Sequence, residues 1–121
     1  MIIHFDKDRK LEDIQIDFVT QFPYLKLVFA PVTKGSRQGS TTIYSDATVG
    51  DLNTIVQPGN IDVTGNMTVM ELEKTFAEKI GASVKVLRKA GNIWLETSIT
   101  SNWTLARQNE HAHEISNSRV F

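Results

Sequence analysis

Glu110-His111-Ala112-His113-Glu114 places four potential metal ligands within five positions, with one further histidine, His4, far away in the chain. Imidazole and carboxylate are the ligands a zinc or nickel ion takes when no thiolate is offered. On a helix, however, His111 and His113 point about 200° apart, so only Glu110 with His113, or His111 with Glu114, share a face. Two ligands hold an ion weakly. The expectation is a solvated helix near the chain end, and no metal site is assigned.

Lys34-Gly35-Ser36-Arg37-Gln38-Gly39-Ser40-Thr41 has the glycines, hydroxyls and cations, Lys34 and Arg37, that can wrap a phosphate. It lacks the Gly-Lys-Ser/Thr ending of a nucleotide-binding loop and reads as a flexible connection. Arg88 and Lys89 close one predicted strand, and Trp94 follows the next turn, so a basic and aromatic surface is expected there. Stacking on Trp with Arg and Lys on the backbone is a mode of holding single-stranded nucleic acid, although that mode normally uses several aromatics along a basic groove. The plainer alternative buries Trp94 or Leu95 while its neighbour faces out, with Trp103 packed over the hairpin end.

The run Asp6-Lys7-Asp8-Arg9-Lys10-Leu11-Glu12-Asp13 alternates signs at a helix start, where acidic groups meet free backbone donors. A calcium loop beginning at Asp6 would need Gly at Leu11 and Glu at Asp17. No Gly-x-Ser-x-Gly occurs, and the absence of Cys removes disulfides, thiolate nucleophiles and iron-sulfur clusters. Asn66-Met67-Thr68 and Asn102-Trp103-Thr104 match glycan acceptor patterns but read as helix starts. No spacing nominates a pair of catalytic carboxylates, so no catalytic residue and no cofactor are assigned.

These residues must be held by a chain of 121 residues, 40% hydrophobic and 22% charged, which fits one domain over 1–121. Its net charge of -1 gives no general attraction for nucleic acid or acidic membrane. No apolar run approaches the roughly 18 residues that cross a bilayer, and Met1 to Asp6 lacks the charged start and apolar core of a secretion signal. A cytoplasmic protein without membrane contact is expected.

Leu11, Ile14, Phe18 and Phe22 recur at helical spacing, and 58 positions later Val69, Leu72, Phe76 and Ile80 repeat that spacing. Ile3 and Phe5 before the first helix match Ile61 and Val63 before the second, each an alternating pair suited to a half-buried strand. Leu25, Leu27 and Phe29 follow the first helix and Val84 and Val86 the second, now displaced by 59. The second copy turns through Lys89-Ala90-Gly91-Asn92 into Ile93 to Thr97. The first has the long connection 31–41 before a short strand at Thr42-Ile43-Tyr44. Shorter helical pieces open at Thr48 and Thr104, and Pro58-Gly59 marks the joint.

The expectation is an α+β fold made of an internally duplicated β-α-β-β-α unit, with halves at about 1–57 and 60–115. The first two strands of each copy would be parallel, giving a mixed sheet with helices packed against it.

The stretches Phe22-Pro23-Tyr24-Leu25-Lys26-Leu27, Arg88-Lys89-Ala90-Gly91-Asn92-Ile93-Trp94-Leu95-Glu96-Thr97, Trp103-Thr104-Leu105 and Gln108-Asn109 resemble a family of small uncharacterised bacterial proteins. The resemblance covers nearly the full chain and implies a bacterial, single-domain protein, with no activity, cofactor or catalytic residue attached.

The leading expectation is a non-enzymatic protein-interaction module that acts through an exposed sheet edge or the 84–97 hairpin, on a protein partner or as a homodimer. Single-stranded nucleic-acid binding through Arg88, Lys89 and Trp94, helped by Lys34 and Arg37, is the rival. An enzyme with its site between the two halves is the third reading.

Overall fold

The computed structural model describes residues 1–29 and 46–117. Along them run β1 (Ile2–Phe5), α1 (Leu11–Gln21), β2 (Leu25–Phe29), α2 (Val49–Leu52), β3 (Gly59–Asp62), α3 (Val69–Lys79), β4 (Val84–Ala90), β5 (Ile93–Glu96) and α4 (Leu105–Asn117). The fold is α+β. The expected strand at 42–44 and the loop carrying Lys34 and Arg37 lie outside the described residues.

The helical stripes do what their spacing requires. Leu11, Ile14, Phe18 and Phe22 from the first helix region and Val69, Leu72, Phe76 and Ile80 from the second are all buried in one apolar cluster. Pro23 follows Phe22 and, with no N–H and a fixed φ, stops α1. α3 instead ends at Gly81, whose φ of +75 lets its N–H turn back to the carbonyls of Phe76 and Ala77. At the start of α3, Thr68 Oγ1 accepts from the Glu71 N–H at 3.1 Å, and Glu71 Oε1 accepts from the Thr68 N–H at 2.9 Å.

The sheets correct the expected topology. Both are antiparallel: β1 pairs with β3, and β2-β4-β5 form a second sheet in that order. Among the described residues no mixed sheet forms. A helical crossover permits a parallel neighbour without requiring one, and the strands flanking α1 belong to different sheets, as do those flanking α3. β1 with β3 and β2 with β4 are pairs drawn from different parts of the chain, whereas β5 pairs with its hairpin neighbour β4. Ile3 stands opposite Ile61, and Leu27 opposite Val86.

The helix starts are also joined in pairs. Leu11 N–H donates to the Ala47 carbonyl while Val49 N–H donates to that of Arg9; Val69 N–H donates to the Trp103 carbonyl while Leu105 N–H donates to that of Met67. The first-turn donors of four helices thus gain partners from chain rather than from water. α4 then crosses β4 and the start of β2, burying Leu105, Gln108 and Ala112.

Candidate functional site

The hairpin of β4 and β5 divides the candidate residues between two faces. Its turn is Gly91-Asn92, with Gly91 at φ +65, and Lys89 pairs with Trp94 while Arg88 pairs with Leu95. Successive strand side chains point to opposite faces, so Arg88 and Trp94 are separated by the sheet itself. Lys89 shares the Trp94 face. The expected single surface of Arg88, Lys89 and Trp94 is not assembled.

Arg88 belongs to the face covered by α4. Its Nη1 donates to Gln108 Oε1 at 3.3 Å, and its guanidinium carbon lies 5.8 Å from the Trp103 ring. Its Nε is buried without a hydrogen-bond partner. Arg107 stacks on Trp103 at 3.9 Å, and His111 meets the same ring edge-on at 5.3 Å. His113 instead lies against Tyr24, with ring centroids 4.7 Å apart. The two histidines diverge as helical spacing demands, and among the described residues no three potential ligands converge on a metal.

Trp94 faces the other way, where an open groove of about 330 Å³ is lined by Glu12, Gln15, Ile16, Val19, Lys26 and Leu27 together with Trp94. Lys26 Nζ lies 5.6 Å from the indole. Gln15 Nε2 donates to the Leu27 carbonyl at 2.8 Å and so fixes α1 along the open side of β2. Because α1 spends its Leu11, Ile14 and Phe18 stripe on the core, Ile16 at 50% and Val19 at 38% exposure remain on the groove wall.

No protein-family model, curated protein or solved structure matches the chain. Its conspicuous residues do structural work around α4. Asn109 Oδ1 accepts from the Tyr24 N–H at 2.9 Å, buried Thr97 donates through Oγ1 to the Val86 carbonyl at 2.8 Å, and Ser116 Oγ donates to the Lys89 carbonyl at 3.3 Å. The Asn109 and Ser116 contacts tie the start of β2 and the hairpin to the last helix, and the Thr97 contact closes the hairpin on itself.

Both Trp94, at 38%, and Leu95, at 39% exposure, reach solvent, so neither is the core residue that alternation predicts. Among the described residues β5 is the outermost strand of its sheet, and α4 covers β4 instead. Lys26, Ile16 and Val19 were not read as site residues from the sequence. The available signal was that Ile16 and Val19 are apolar, three apart and off the main stripe of α1.

Beyond the groove, the Glu73 carboxyl is raised above its ordinary value by burial, partly opposed by the attraction of Lys85.

Proposed function

We propose that this chain is a non-enzymatic protein-recognition module that works through the Trp94 groove and the outer edge of β5. One observation carries the reading: Ile16, Val19 and Trp94 stand exposed around one groove on a sheet whose strand β5 is, among the described residues, paired on one side only. Grouped apolar side chains suit protein contact, as does an unpaired strand edge, whereas single scattered apolar residues need no partner.

Photo-crosslinking tests it. A photoreactive residue at Ile16 is expected to label a discrete protein in cell extract, and the label is lost when Trp94→Asp is added. The same residue at Ile55, which is 79% exposed and outside the groove, should give no such product. Equal labelling from both positions would sink the proposal.

Nucleic-acid binding is a second reading, supported by Lys26 beside the Trp94 ring and Lys89 across from it. Arg88 on the opposite face weighs against it. Oligothymidylate binding that falls steeply with salt, with a slope flattened by Lys26→Ala and Lys89→Ala, would favour this reading over the first.

We also infer that the segments 1–57 and 60–115 derive from one duplicated unit. Supporting it are the opposed pairs Ile3 with Ile61 and Leu27 with Val86, and the similar joints between helix starts at residues 9–11 with 47–49 and 67–69 with 103–105.

A further inference from the structure

Resting on the protein-recognition reading and deepening it, we infer that the partner of the β5 edge is a second copy of this chain. The two β5 strands would pair antiparallel about a twofold axis at Trp94.

The backbone geometry comes first. Lys89 N–H donates to the Tyr24 carbonyl on the β2 side, although Lys89 stands opposite Trp94 on β5. In an antiparallel ladder the residue opposite such a position likewise turns its N–H and C=O away from the shared seam. Trp94, and by alternation Glu96, therefore offer their backbone groups to the free edge. The indole leans the opposite way, across β4 to Lys26 on β2, and among the described residues no strand covers that edge.

The side chains then select the occupant. Natural edges are guarded by shortness, Lys, Pro or a bulge; β5 is only four residues long, but its Ile93-Trp94-Leu95 run is uninterrupted and apolar, with Ile93 at 58% exposure. A perpendicular twofold keeps the two faces of the sheet in register. With Trp94 opposite itself, Ile93 of each copy meets Leu95 of the other, and Glu96 meets Asn92, so no like charges are opposed. Moving the axis to Leu95 would set Trp94 against Glu96 and Ile93 against Thr97, a poorer match. The product is a continuous sheet in the order β2-β4-β5-β5-β4-β2. The paired strands are short, so the dimer is expected to form only at micromolar or higher concentration, below the class of interfaces that bury about 1,200 Å² or more.

Sedimentation of the full chain from micromolar to millimolar concentration tests the pairing. A dimer fraction rising with concentration is expected, with Leu95→Lys weakening it at least about tenfold. The chain has no cysteine, so single-cysteine variants give an independent reading. Hydrogen-bonded antiparallel partners lie about 5.5 Å apart at Cα, within disulfide range, and Trp94→Cys should oxidise to a covalent dimer while Ile55→Cys does not. A strict monomer, a dimer indifferent to Leu95→Lys, or equal oxidation at both positions would overturn self-pairing. A monomer whose Ile16 position still crosslinks another protein removes self-pairing alone; loss of that crosslink as well removes the recognition reading too.

Discussion

Gln108 on α4 donates through Nε2 to both the carbonyl oxygen and the hydroxyl of Thr100, at 2.8 Å each. The residue is fully buried, and its Oε1 accepts from Arg88. Both ends of the amide are therefore satisfied, and one side chain links α4, β4 and the segment that follows β5.

Gln108→Ala is expected to destabilise the protein by about 1 to 3 kcal/mol, because it leaves part-buried groups of Thr100 and Arg88 without their partner. Urea unfolding measures this. Unchanged stability would mean the network makes no net contribution.

Phe18 and Phe76 are fully buried on different helices of one apolar cluster. Phe18→Ala and Phe76→Ala should each cost roughly 3 to 5 kcal/mol, a large share of a typical margin of about 5 to 15 kcal/mol. Melting of both variants with the unsubstituted protein would refute the shared core.

Gly81 and Gly91 both have positive φ, but their surroundings differ. A Cβ on Gly91 meets nothing within 4 Å, whereas one on Gly81 would lie 2.7 Å from Asn53 Nδ2, which donates to the Ile80 carbonyl. Gly91→Ala should therefore lose only the left-handed backbone cost of about 1 to 2 kcal/mol, and Gly81→Ala clearly more. Denaturant midpoints that rank them the other way would contradict this account.

Burial keeps Glu73 protonated to higher pH when folded than when unfolded. Its contribution is therefore fully present below the ordinary carboxylate range and is lost as pH rises through the raised folded value. Glu73→Gln, which remains neutral, should raise Tm relative to the unsubstituted protein at about pH 7 and lose that advantage at about pH 3. An equal difference in Tm at both pH values would rule out titration of Glu73 as the cause.

Helix stripes, the Gly91-Asn92 hairpin turn and the Thr68–Glu71 cap were legible in residue order, because each depends on groups only a few positions apart. Local periodicity likewise determined that Arg88 and Trp94 occupy opposite faces once their pairing partners were known. The antiparallel pairing of β1 with β3 and of β2 with β4, and the meeting of Lys26 with Trp94 across 68 positions, were decided only in three dimensions. A strand's side-chain pattern says which face is buried but not which neighbour completes its hydrogen bonds. That choice belongs to the closure of the whole core, which here joins strands distant in the chain and, among the described residues, leaves β5 outermost.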